Sequence, residues 1–133
     1  MIKISTDKKK LQIDVIHQFL TTTYWAKGRT IEDVKKTINN CLCFGVYLDK
    51  KQIGFARIAT DYTVFAYLMD VFILPEHTGK GYSKQLMKAI NEASQLQSCK
   101  VWMLKTSDAH GLYKQFGYTE LAHPEKVMER VLK

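Results

Sequence analysis

The sequence is poor in proline, cysteine and arginine, and each shortage excludes something. Its two prolines, Pro75 and Pro124, stand where a regular element would stop, and no Pro-, Gly- or Ser-rich stretch marks a linker. The three cysteines, Cys41, Cys43 and Cys99, are odd in number and lie in or beside apolar segments, which argues against a disulfide framework and predicts reduced, buried thiols. Cys41-x-Cys43 has no second pair at ligand spacing, so no metal site is expected. Long apolar runs are missing as well. The longest uncharged one, Val64–Met69, is far too short to cross a bilayer. The charged opening MIKISTDKKK has no apolar signal core, so the expectation is a cytoplasmic protein with no membrane attachment.

What is present fits one domain over residues 1–133: 46% apolar and 25% charged residues, with no internal repeat. The net charge is +7, yet seventeen of the twenty basic residues are lysines and only Arg29, Arg57 and Arg130 are arginines. Arginine is the better bidentate reader of phosphate and guanine. Dispersed lysine makes a solvated surface, and a polyanionic small molecule accounts for the excess as well as nucleic acid does. Nucleic acid is therefore not the expected partner.

Along the chain, Ile2–Ser5 reads as a short strand and Leu11–Thr23 as a helix with apolar positions Leu11, Val15, Phe19 and Leu20. Thr30 is placed to cap a second helix whose first turn carries Glu32 and Asp33, and which buries Ile31, Val34 and Ile38. Leu42–Leu48, Gln52–Thr60 and Val64–Leu74 read as strands, with tight turns at Asp49–Lys51 and near Asp61. The third is apolar on both parities and belongs inside a covered sheet. A helix follows with Tyr82, Leu86, Ala89, Ile90 and Ala93 on one face. Lys100–Leu104 reads as a strand, Ala109–Phe116 as a helix capped by Gly117, and Tyr118–Leu121 as a last strand. The order βααβββαβαβ predicts an α/β fold in which an antiparallel meander leads into a βαβ crossover.

The junction PEHTGKGYSKQL, Pro75–Leu86, joins a strand to a helix through two glycines and a lysine. It is not a Walker loop: Leu74 stands where the upstream glycine is required, and Gly81 rather than Ser or Thr follows Lys80. It is a poor dinucleotide fingerprint too, since Lys84 occupies the third glycine position. The physical core of both motifs survives. Gly79 and Gly81 leave their amides open to an anion at a helix N-terminus, and Lys80, Lys84 and Lys88 follow on one helical face. The same pattern also suits a tight turn followed by a solvated lysine face.

The stretch LMDVFILPEHTGKGYSKQLM, Leu68–Met87, resembles the acetyl-CoA-binding motif of the GNAT N-acetyltransferase superfamily, and DAHGLYKQFGY, Asp108–Tyr118, resembles that family's second motif. The resemblance extends over about Leu42–Leu121. Thr78, where the family favours Arg or Gln, and Ser83, where it favours Gly or Ala, depart from the pattern, and Thr106 falls near a frequent family asparagine. The resemblance implies a three-layer fold with a mixed, mostly antiparallel sheet and helices on both faces. It implies acetyl-CoA as cosubstrate and direct attack by a primary amine, on a small molecule or a peptide, in a ternary complex. It leaves a homodimer open. The alternative is an inactive or basic module of this fold that binds nucleic acid or protein.

Carried onto this chain, the resemblance makes the backbone of Val71, Phe72 and Ile73 the partner of the pantetheine arm, with an amide near Phe72 facing the thioester carbonyl. Thr78, Gly79, Lys80, Gly81, Tyr82 and Ser83 would cradle the pyrophosphate, with Lys84 adding charge. Tyr113 would sit by the departing sulfur. Asp70, alone in the middle of an apolar strand, is either the base that frees the amine or a structural aspartate, and Arg57 needs a partner that Asp70 could be. Asp61, Tyr62 and His110 are lesser candidates. Tyr24, Trp25 and Arg29, gathered in TYWAKGRT, could stack on and pair with an acceptor carrying an aromatic group or a carboxylate, or could form a packing corner between helices.

Overall fold

The computed structural model describes residues 1–132. Five strands form one sheet in the order of the chain: β1 (Lys3–Ser5), β2 (Leu42–Leu48), β3 (Lys51–Thr60), β4 (Phe65–Ile73) and β5 (Val101–Leu104). The first four are antiparallel and β5 lies parallel to β4, so the expected meander and crossover are both present. Helices α1 (Ile13–Leu20) and α2 (Ile31–Asn39) cover one face, where Ile16, Leu20, Val34 and Ile38 pack with Phe55 and Phe72. Helix α3 (Tyr82–Asn91) covers the other through Leu86, Met87 and Ile90, and the short α4 (His110–Lys114) joins that side through Tyr113.

Local chemistry explains most boundaries. Asp49 and Lys50 both have positive φ, 51° and 70°, and Leu48 pairs with Lys51, which makes a two-residue hairpin of the type whose twist suits antiparallel strands. Thr30 and Asp33 form a reciprocal capping box at the start of α2. Helix α1 ends at Leu20, with the last position of its apolar pattern and short of the expected Thr23, because Thr21, Thr22 and Thr23 each turn a hydroxyl back onto the last turn's carbonyls. Gly117, at φ 96°, closes α4 in a Schellman arrangement, with Gly117 N–H donating to Lys114 and Tyr118 N–H to Tyr113.

That closure is why the expected strand at Tyr118–Leu121 does not form: Tyr118 gives its amide to the helix, Leu121 is exposed, and no pairing partner exists among the described residues. Two burial expectations also fail. Ile31 is 40% exposed: it shares the face of Val34 and Ile38, but it is the first residue of α2, at the open end of that stripe. The Phe65–Tyr67 side of β4 is only half covered, since the residues of α1 and α2 that reach the sheet pack toward Phe55 and Phe72 farther along.

The pairing of β3 with β4 leaves no room for a side chain at Gly54. An added Cβ would lie 2.6 Å from Ile73 Cδ1 and 2.9 Å from the Phe72 carbonyl oxygen. Gly54→Ala is expected to destabilise the protein by about 2 kcal/mol, read as a lowered urea midpoint at unchanged slope.

Candidate active site

Strands β4 and β5 pair only from Phe65↔Val101 to Leu68↔Leu104. Beyond that point β5 ends while β4 continues to Ile73, so the β5-facing edge of residues 69–73 has no neighbouring strand among the described residues. A β-bulge marks the place. Arg57 pairs with Met69 and Phe55 with Phe72, which sets Asp70 and Val71 together against Ala56. Asp70 takes φ 54°, a left-handed conformation that aspartate tolerates better than the apolar residues around it. A cleft of about 590 Å³ opens there, between Met69–Val71 on one wall and Leu104–Ala109 with Tyr113 on the other. Both strands point their C-terminal ends toward it, the usual place for a ligand crevice in such sheets.

The floor of the cleft is ionic. Asp70 Oδ2 accepts from Arg29 Nη1 at 2.7 Å and from Arg57 Nε at 2.8 Å, and Oδ1 accepts from the Trp25 indole N–H at 3.1 Å. The side chains of Arg29, Arg57 and Asp70 are 20%, 9% and 2% exposed. Arg57 thus finds the partner expected of it. Tyr24, Trp25 and Arg29 do gather at this site, carried by the connection between α1 and α2, which is pinned by the buried Ala26 and by His17 Nε2 against the Arg29 carbonyl at 2.9 Å. Tyr24 reaches across the mouth to Ser107 Oγ at 2.7 Å.

Tyr113 also lines the cleft, packed edge-on against Tyr118 with centroids 5.9 Å apart. Its hydroxyl has no protein hydrogen-bond partner among the described residues, and burial, followed by the nearby Asp108 charge, raises its pKa above the ordinary phenol range. Thr106 is occupied in the turn before α4, accepting from the Ala109 amide at 3.1 Å. His110 lines the adjoining cavity rather than this one. Asp61 and Tyr62 lie at the opposite end of β4, where three backbone amides hold the Asp61 carboxyl below its usual range.

The glycine loop sits after β4 at the same end of the sheet as the cleft. Gly79 and Gly81 have φ 80° and 81°, and an added Cβ at either would meet nothing within 4 Å. Gly81 is the N-cap of α3 but offers no side chain to it. Among the described residues, none of the amides from Gly79 to Lys84 donates to a protein acceptor; the first that does is Gln85, to the Gly81 carbonyl. Thr78 turns its hydroxyl onto the Pro75 carbonyl, Tyr82 packs against the core, and Lys80 and Lys84 are exposed. Val71 lines the cleft, while Phe72 stacks on Phe19 and Ile73 packs into the α3-side core, and neither of the latter two lines it. The Arg29–Asp70 contact and the Tyr24–Ser107 bridge were not legible in the sequence, since neither a spacing of 41 nor one of 83 residues leaves a local signal.

Residues 39–120 match the acetyltransferase (GNAT) domain model. A Gibberella zeae protein classed as an acetyltransferase is 30% identical over 86% of this chain and 77% of its own length. A GNAT-family crystal structure from Xanthomonas campestris pv. campestris superposes with a TM-score of 0.96 at 46% identity, covering 99% of this chain and 94% of that one. A Clostridium acetobutylicum structure that holds acetyl-CoA shares the fold at 13% identity, with a TM-score of 0.75 over 98% of this chain and 96% of that one.

Removing the charge at Asp70 would leave two guanidiniums without their shared carboxylate. Asp70→Asn is expected to destabilise the protein by roughly 3–5 kcal/mol, measured by denaturant unfolding. A change below about 1 kcal/mol, the level of an exposed ion pair, would contradict a buried triad.

Proposed function

Because the chain belongs to the GNAT acetyltransferase family, we propose that it is an N-acetyltransferase that moves the acetyl group of acetyl-CoA to a primary amine, both substrates being bound together. The observation that carries the reading is the run of unpartnered amides from Gly79 to Lys84 at an uncapped helix N-terminus. Six such donors, backed by the helix dipole, suit the pyrophosphate of a coenzyme, and Thr78, Tyr82 and Ser83 complete the turn around it. Lys80 and Lys84 stand exposed at its rim and add charge. The unpartnered edge of β4 at Val71, Phe72 and Ile73 suits the amide-bearing pantetheine arm, in the manner of a strand added to a sheet edge.

Acetyl-CoA would supply the activated acyl carbon and a thiol leaving group. The remaining work belongs to the chain. Tyr113 keeps its proton throughout the neutral range, because burial raises its pKa, and its hydroxyl is free to donate to the sulfur as negative charge develops there. Complete transfer from an ordinary phenol, near ~10, to an ordinary thiolate, near ~8.5, is already uphill by roughly 2 kcal/mol, and the burial of Tyr113 adds to that, so the role is donation of a hydrogen bond. Asp70 already accepts from two guanidiniums and an indole, and taking a proton would sacrifice both ion pairs. We read it as the residue that positions Arg29 and Trp25, with the amine's proton leaving through water. The acceptor enters between Trp25, Arg29 and the β5–α4 loop.

Thiol release from acetyl-CoA in the presence of primary amines tests the reading. Acetyl-CoA binding without thiol release from any amine would make this an inactive member of the family. Tyr113→Phe is expected to lower turnover about 100-fold while acetyl-CoA affinity stays within about three-fold; unchanged turnover would return Tyr113 to a packing role. Gly81→Ala should weaken acetyl-CoA binding about ten-fold, because a β-carbon makes the φ of 81° that holds the amides open cost about 1–2 kcal/mol, and the loop shifts away from it.

A further inference from the structure

The buried triad is not neutral. Two guanidiniums face a single carboxylate, and the surplus positive charge lies where the side chains are at most one-fifth exposed. The donors are also unevenly satisfied. Arg29 places only Nη1 on a protein acceptor, and the two Nη groups of Arg57 reach only sulfur, Cys41 Sγ at 3.4 Å and Met69 Sδ at 3.6 Å. Sulfur is a weak acceptor, and a guanidinium carries five N–H groups. The other charges near the cleft do not correct this. Asp108 and Lys105 are exposed at its rim, where water screens them, and Lys105 is paired with Glu129 at 2.6 Å. On the far side of the arginines, Asp33 is engaged in the Thr30 cap and Lys36 lies beside it.

Resting on the acetyltransfer reading, we propose that the acceptor is an amino carboxylic acid, its carboxylate held by Arg29 over the Arg57 charge and its amine directed toward the β4–β5 opening. A carboxylate supplies the one negative charge that the triad lacks, in the planar geometry that a guanidinium fork matches. A phosphate monoester, at about −1.5 to −2, overshoots it. The rest of the molecule lies on Trp25, whose indole N–H is committed to Asp70 and whose half-exposed ring is left as an apolar wall. The acceptor is small, because the cleft of about 590 Å³ must also take the acetyl end of the coenzyme and Tyr24 bridges its mouth.

The test uses thiol release by the wild-type protein with matched acceptors: amino acids, their amides, the corresponding decarboxylated amines, and aminoalkylphosphonates. The acid form is expected to exceed its amide in kcat/KM by about 30-fold, the scale of one hydrogen bond to a charged group. Arg29→Gln should bring the acid-to-amide ratio close to one, and Arg29→Lys should restore part of it. Because the ratio is taken within one sample, a loss of folded protein cancels. An amide or plain amine that performs as well as the acid overturns the proposal, as does a preference for the phosphonate. If acetyl-CoA binds but no acceptor of any class releases thiol, the acetyltransfer reading itself fails, a result distinct from a wrong acceptor class.

Discussion

One carboxylate ties together the parts of the molecule on which the cleft depends. Asp70 sits on a left-handed bulge where β4 pairs with β3, and its two oxygens reach Arg57 on the adjacent strand and Arg29 and Trp25 on the connection between α1 and α2. Without the bulge, strict alternation would turn Asp70 toward the α3 side along with Ala66 and Leu68. With it, a charge that would be intolerable in that core meets its partners on the opposite face. The bulge also stands just beyond the last β4–β5 pair, where the opening begins. The cleft-lining aromatics, the ionic floor and the unpartnered strand edge therefore meet at one place.

The two proposed anion sites, the glycine loop and the triad, differ in their physics. At the glycine loop the donors are main-chain amides in a solvated turn, with dispersed lysines nearby, an arrangement suited to a large, strongly charged group that keeps part of its hydration. At the triad the donors are buried guanidiniums with one unit of charge to spare, which suits a single, desolvated anion. A lysine-rich surface with three arginines, two of them in the cleft, follows this division of labour.

Much of the fold was legible because its signals are local. Period-two alternation, the Thr30 box, the Asp49–Lys50 turn and Gly117 each act within a few residues, and the glycine loop announces its conformation through the residue that adopts it at least cost. The family motifs likewise pointed to the glycine loop as the expected coenzyme site. The Tyr118–Leu121 strand was misread because its pattern could not show that a Schellman closure would claim the first amide. Ile31 was misread because helical spacing shows which face a residue takes, not whether a neighbour covers the end of that face. Asp70 itself was conspicuous, and Arg57 was matched to it. What the sequence could not reveal was the bulge, the second arginine and the indole, which depend on how a ten-residue connection folds over the sheet.

We propose that the glycine loop and the open β4 edge together bind acetyl-CoA. The most direct measurement is the melting temperature of the full chain as acetyl-CoA is added. A ligand at ~100 times its dissociation constant stabilises the native state by about 2.7 kcal/mol, which for a chain of this size predicts a rise of several degrees, growing with concentration and shared by free CoA. An unchanged melting temperature with both ligands would contradict the account.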